Sequence, residues 1–364
     1  MSDPTLVRPL AYSPAFEYPE KDEDVTVAEL SQVIADMAQT MAQHTGHAMR
    51  GVHAKSHGLL FGMLHVLPGL PEQLAQGIFA ESRDLRAIMR ISAPPAEELP
   101  DNVSTPRGLA IKLVGVPGER LEGSEGESTQ DFLMVNGPVF GRPGPAGFLK
   151  DVKLLASTTD KAPRAKQALS ALLRGTEKAL EAVGAASGTL KALGGHPQTH
   201  PLGETFFSQV PILFGNYMAK LSCAPVSASL TALKDKVLED TKDPDYLRHA
   251  VQAFFSQTAA PVEWELRVQL CTDIEKMPVE DASVQWPEEE SPYIAVARLV
   301  FPPQPGWTAG QATQVDERMS FNPWHGVREH RPLGAVMRAR RAVYATSTAF
   351  RSQFNGCPLR EPQS

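Results

Sequence analysis

Four apolar runs of strand character, set at irregular intervals and enclosed by helix-patterned segments, constrain this chain more than any other feature. Val52 to Val66 breaks into short apolar stretches punctuated by Gly58 and Gly62. Gly108 to Val116 reads GLAIKLVGV, Val262 to Asp273 reads VEWELRVQLCTD, and Tyr293 to Phe301 reads YIAVARLVF. Strands that do not alternate regularly with helices point to an α+β fold rather than a doubly wound sheet. At the N-terminal side, Thr26-Val27-Ala28-Glu29 has the capping-box pattern, with Val27, Leu30, Ile34, Met37 and Met41 at helical spacing behind it. The run APRAKQALSALLRGTEKALEAV, residues 162–183, predicts a helical insertion of about 155–205 between sheet regions, and Arg331 to Phe354 predicts a final helix.

The chain has 364 residues, of which 42% are hydrophobic, enough to fill the core of one large domain. A formal net charge of -7 argues against nucleic acid, which needs a basic face. No apolar run is long enough to span a membrane and no secretory leader pattern precedes residue 20, so a cytoplasmic protein is expected. Cys223, Cys271 and Cys357 lie too far apart for a paired zinc motif, and no Cys-x-x-Cys-His is present.

Two short stretches carry chemical potential. On the last helix, Arg340, Tyr344, Thr348 and Arg351 share a face, since steps of four and three residues nearly complete whole turns. The plain reading is a helix whose tyrosine packs on the sheet and whose arginines meet carboxylates. The chemical reading is a phenolate, favoured by a guanidinium one turn away, that ligates a ferric ion. The second stretch is RGVHAKSHG, Arg50 to Gly58. Its His53 and His57 have the spacing of a metal pair, but Ala54 stands where a metalloprotease needs glutamate, and on a strand two such side chains share an ion poorly. His57, His65, His44 and His47 read as packing or surface histidines, as do His325 and His330.

In chain order, RGVHAK (Arg50 to Lys55), MRISAP (Met89 to Pro94), PRGLAIKL (Pro106 to Leu113), DFLMVNGPVF (Asp131 to Phe140), FNP (Phe321 to Pro323) and the Arg340-to-Tyr344 spacing resemble the haem catalases. Because little chain follows Tyr344, the sequence is most similar to the minimal catalase-related haem proteins, which include mini-catalases and catalase-like allene oxide synthases. The resemblance implies an α+β fold built on an antiparallel eight-stranded barrel that encloses haem, with flanking helices. It implies one haem domain over residues 1–364: an N-terminal arm and helix (1–50), the helical insertion, and a proximal helix (331–354), without the C-terminal domain of classical catalases. The implied cofactor is non-covalent haem b, iron protoporphyrin IX, with no NADPH site.

Residue by residue, the resemblance implies that His53 is the distal acid and base, on a barrel strand, with Ser92 hydrogen-bonded to it and Asn136 orienting peroxide. An alternative register puts Ser128 in the asparagine's place, but Asn-x-Pro-Val-Phe keeps the family pattern. Tyr344 becomes the iron ligand and Arg340 supports its phenolate. Arg50, Arg90 and Arg351 meet the propionates, Val52 and Phe321 line the haem, and Phe148 stacks on it. The implied activity is cleavage of the O–O bond of hydrogen peroxide or organic hydroperoxides. Val52 before His53 follows catalases, where the allene oxide synthases share a threonine, so a fatty-acid hydroperoxide isomerase is the alternative. From other classes stand a non-catalytic haem carrier or sensor and a haem-free lipid-binding barrel. The expected partner is the peroxide, and an assembly smaller than a tetramer, such as a homo-dimer, is expected.

Overall fold

The structure is a computed structural model and describes residues 7–94, 98–103, 105–158, 198–238 and 242–362. Residues 159–197, which hold most of the expected helical insertion, lie outside the described residues. Nine strands form one antiparallel sheet: β1 (Lys55–Val66), β2 (Asp84–Ala93), β3 (Gly108–Val114), β4 (Thr129–Val135), β5 (Phe206–Phe207), β6 (Ile212–Phe214), β7 (Tyr217–Pro225), β8 (Val262–Leu270) and β9 (Ile294–Phe301). Their order is β5-β4-β3-β2-β1-β9-β8-β7-β6, and a further pairing of β5 with β7 closes eight of them into a ring, with β6 as a hairpin on β7. Closure removes the exposed edges that an open sheet would present.

Alternation explains which side chains fill the barrel. On β8, Val262, Trp264, Leu266, Val268 and Leu270 are buried at every second position, as a period of two requires. They join Leu60, Leu64, Met89, Ile111, Leu113, Phe206 and Phe214 in one core cluster. Gly62 allows the close approach of β9, because a Cβ there would run into the Val300 carbonyl and the Phe301 ring.

Among the described residues, four helices longer than ten residues flank the barrel: α1 (Glu23–Thr45), α2 (Pro145–Thr158), α3 (Tyr246–Ser256) and α4 (Ala335–Asn355). Leu30, Ile34 and Met37 of α1, Leu149 and Val152 of α2, and Ala339 and Val343 of α4 make a second cluster. Of the periodic residues expected on the first helix, Leu30, Ile34, Met37 and Met41 are buried and Val27 is partly buried, but the helix start is corrected. The helix begins at Glu23, Thr26 lies inside it, and the Thr26 amide donates to the Asp22 carbonyl. The acidic first turn, Glu23 and Asp24, suits the positive end of the helix without the capping box. No described helix is long and apolar enough to cross a membrane.

Candidate functional site

A cavity with about 830 Å³ of empty space, counted to its opening, lies between one end of the barrel and α4. Its barrel wall is made by Val52 and His53, Ser92 of β2, Gly108 and Ala110 of β3, and Leu133 and Val135 of β4. His53 stands two residues before β1 with φ +55°, so the expected place on a strand is corrected to a left-handed turn at the strand's entrance. A histidine in that region costs about 1 kcal/mol and persists only where neighbours hold it. Its Nδ1 lies 3.3 Å from Ser92 Oγ, and its ring lies against Gly108 of β3. A Cβ at Gly108 would stand 2.6 Å from His53 Cε1, so glycine makes that approach possible. Burial, then the positive charges of Arg90, Arg340 and Arg50, push His53 down to about 3, leaving a neutral imidazole near pH 7.

The opposite wall is α4. Arg340, Val343, Tyr344, Ser347, Thr348 and Arg351 line the cavity, as the helical spacing of the sequence predicts. The Tyr344 hydroxyl has no hydrogen-bond partner among the described residues, and the Arg340 guanidinium meets Met337 Sδ at 3.9 Å. Ser347 Oγ accepts from the Gly51 amide at 3.3 Å, which ties α4 to the segment carrying His53.

At one end of the cavity three guanidiniums converge. Arg90 donates from Nε to Asp316 Oδ1 at 2.6 Å and from Nη2 to the carbonyls of His53 and Ala54 at 2.9 and 3.1 Å. Arg50 donates to the carbonyls of Val315, Asp316 and Met319, and Arg351 to those of Asp316 and Met319. The acceptors of Arg50 and Arg351, and the Asp316 carboxylate that meets Arg90, sit in or just beyond a single π-turn, Thr313–Glu317, a distortion frequent at functional sites. Among the described residues, Asp316 is the only carboxylate paired with any of the three, and it pairs with Arg90; Glu317 reaches His47 at 2.6 Å instead. Burial, then Arg351 and Arg90, hold Arg50 well below its usual range, and burial, then Arg90, pushes Arg351 down to about 10. Burial of Asp316 would raise its carboxyl, but Arg90, Arg50 and the Ser56 hydrogen bond outweigh it, and the net shift is downward. Arg50 Nε is buried without a partner. Phe321 packs beneath Arg50, 5.6 Å from ring centre to guanidinium carbon, and lines the same cavity.

Nine of the eleven expected site residues therefore line one cavity: Arg50, Val52, His53, Arg90, Ser92, Phe321, Arg340, Tyr344 and Arg351. Asn136 and Phe148 do not. Asn136 Oδ1 accepts from the Arg107 amide at 2.8 Å and its Nδ2 donates to Glu204 at 3.1 Å, so both ends of the amide are committed away from His53. Phe148 lies on α2, its ring centre 5.1 Å from that of Phe140 with the planes tilted by 56°, and packs in the helix cluster. His57 is fully buried beside a second, smaller cavity with Lys55 and Arg107, so the two histidines of the opening motif do not face a common ion. His330 packs among Phe79, Phe132 and Phe214, and His325 sits against Asp131 and Glu361. Sequence reasoning missed Asp316, which in QVDERMS looks like any solvated charge, and Ser347, whose role depends on α1 and α4 meeting.

No protein-family model and no curated protein matches the sequence. Solved structures do. A fungal catalase superposes with a TM-score of 0.57 at 17% identity, covering 97% of this chain and 66% of that one. Catalase A from Saccharomyces cerevisiae gives 0.57 at 16% identity, covering 98% and 70%. A bacterial catalase gives 0.57 at 15%, covering 100% and 67%. The chain thus spans about two thirds of the length of these catalases and has their fold, a closed eight-stranded antiparallel barrel with flanking helices.

Proposed function

We propose that this chain, which shares the catalase fold, binds haem b in the cavity between His53 and Tyr344 and cleaves the O–O bond of hydrogen peroxide or an organic hydroperoxide. The observation that carries the reading is the charge of the cavity: three arginines against one bonded carboxylate, with a buried guanidinium nitrogen left unpartnered. Such a cluster calls for a dianionic group, and the two propionates of haem supply it by charge-assisted hydrogen bonds. The donor set fits on the other axis as well. Tyr344 would offer its phenol oxygen to iron, with Arg340 one turn away on the same cavity wall, and Val52, Leu133, Val343 and Phe321 give apolar walls for a porphyrin.

Haem supplies the redox chemistry of peroxide cleavage when bound. His53, held neutral, takes the proton of the near peroxide oxygen and returns it to the leaving oxygen, so that no charge is stranded as the bond breaks. Ser92 fixes the imidazole's tilt through Nδ1. With Asn136 turned to Arg107 and Glu204, and with Ala110, Leu133 and Val135 exposed on the barrel wall, the cavity favours organic hydroperoxides beside hydrogen peroxide. The same departure of Asn136 favours, as a second reading, a haem carrier or sensor without turnover.

The test is a rate comparison on haem-loaded protein with hydrogen peroxide, an alkyl hydroperoxide and a polyunsaturated fatty-acid hydroperoxide, with product analysis. Oxygen release or donor oxidation supports the catalase or peroxidase reading, an allene oxide product the isomerase reading. A tyrosinate-type haem spectrum with no peroxide consumed leaves the carrier or sensor. No haem uptake overturns all three.

A further inference from the structure

The left-handed turn at His53 needs something to hold it, and Asp316 is placed to do so from two sides. Its Oδ1 accepts from Arg90 Nε, and the same guanidinium donates from Nη2 to the carbonyls of His53 and Ala54. Its Oδ2 accepts from Ser56 Oγ at 2.7 Å, three residues after His53, and Ser56 in turn accepts from Trp307 Nε1 at 2.9 Å. One carboxylate, presented by the π-turn, therefore clamps the strand that follows the histidine and, through Arg90, the backbone of the histidine itself. β2 adds a second contact, since Ser92, two residues beyond Arg90 on the same face, meets the His53 ring.

We propose that Asp316 is a positioning residue for His53, acting through Arg90 to hold the histidine's left-handed turn and so aim its imidazole into the cavity. The catalytic consequence rests on the peroxide reading above; the positioning itself does not. A carboxylate that served only to balance the arginines would, on removal, change the affinity for a dianionic group and leave His53 where it is. A carboxylate that orders Arg90 would, on removal, free the His53 and Ala54 carbonyls and let the strained turn relax.

Crystal structures of the full chain carrying Asp316→Asn, Asp316→Glu and Arg90→Lys test this directly. In Asp316→Asn, the Arg90 bonds to the two carbonyls are lost and His53 leaves positive φ. Asp316→Glu keeps both bonds and the turn. Arg90→Lys, which retains a charge for Asp316 but loses the forked donor, relaxes the turn as Asp316→Asn does, and it carries the test should Asp316→Asn not fold. On haem-loaded protein, Asp316→Asn lowers the rate of peroxide cleavage by about 10- to 100-fold at equal haem content. The Asp316→Asn, Arg90→Lys double variant is no slower than either single one, because both act on one path. Retention of the carbonyl bonds and of φ near +55° in Asp316→Asn overturns the proposal. A relaxed turn in a protein that consumes no peroxide even as wild type overturns the peroxide reading and leaves the positioning role standing.

Discussion

Gly108 and Tyr344 give the sharpest single-residue expectations. With a Cβ at 2.6 Å from His53 Cε1 and 2.7 Å from Nδ1, Gly108→Ala must displace the ring, while the strand around it has no other reason to fail. Displacement by about an ångström costs on the order of 10²-fold in rate, so Gly108→Ala should keep haem uptake and lose most peroxide cleavage in a stopped-flow assay. Near-normal turnover would remove His53 from the mechanism. Tyr344→Phe tests the opposite wall: thermal unfolding of the haem-free protein stays within a few degrees of wild type, and the tyrosinate-type absorption of the haem-loaded protein disappears. At this scale the sequence was informative wherever a residue type has few other uses. The Arg-x-x-His pattern at His53 and the tyrosine four residues after Arg340 stand out in the sequence and both line the cavity, whereas Asn136, expected to orient peroxide, lies outside that lining. Its amide is captured by Arg107 and Glu204, partners brought there only by the closed barrel, and no local pattern announces them.

Among the elements, α4 decides where half of the site lies, and its start is fixed from outside. The Gly334 amide donates to Glu17 and the Ala335 amide to Glu280, at 3.1 and 2.8 Å, so two first-turn donors are satisfied by carboxylates from distant segments instead of a local cap. The same glutamates, with Glu23, bind Arg338 one turn on; burial alone would lower its guanidinium, but Glu23 and Glu280 outweigh burial and the net shift is upward. Glu280→Ala removes a cap and an ion-pair partner together and should cost about 1 to 2 kcal/mol, read from the urea midpoint. An unchanged midpoint would mean that the helix start is held elsewhere. The sequence predicts this helix from its uninterrupted pattern, yet places its start at Arg331, because tertiary caps leave no mark in the nearby residues. A similar limit hides β5, two residues long, while the Gly215-Asn216 pair between β6 and β7 is a hairpin signal masked by the shortness of β6.

Across the whole molecule, buried histidines set the response to acid. Burial pushes His53 down to about 3, His200 and His330 to about 4, and His57 well below its usual value. Each folded form resists a proton that the unfolded chain accepts near 6.5, so stability is complete above that value and falls as pH drops towards 4. Each such histidine costs about 2 kcal/mol at pH 5 relative to neutrality. His325 runs the other way. Its burial is outweighed by Asp131, which raises it, so its contribution is present in acid and lost as pH climbs above 6.5. Four against one gives a net loss, and urea midpoints measured from pH 7.5 to 5 should fall steadily; a flat profile would mean that these imidazoles are not held neutral. The α+β class was legible because strand-like runs stand at irregular intervals between helix-patterned segments, and the barrel came from the family resemblance; the order of the ring was not legible, because it depends on pairings between distant runs.

The cavity's two walls are far apart in the order of synthesis: His53, Ser92 and Gly108 come early, and Phe321, Tyr344 and Arg351 almost last. At roughly 5 to 20 residues per second, the barrel wall waits on the order of tens of seconds for its helical counterpart, plus the time that α4 needs to clear the ribosome. A group gripped from both walls could therefore be held only once α4 has been made and has cleared the ribosome, and a nascent chain stalled before α4 should not retain it.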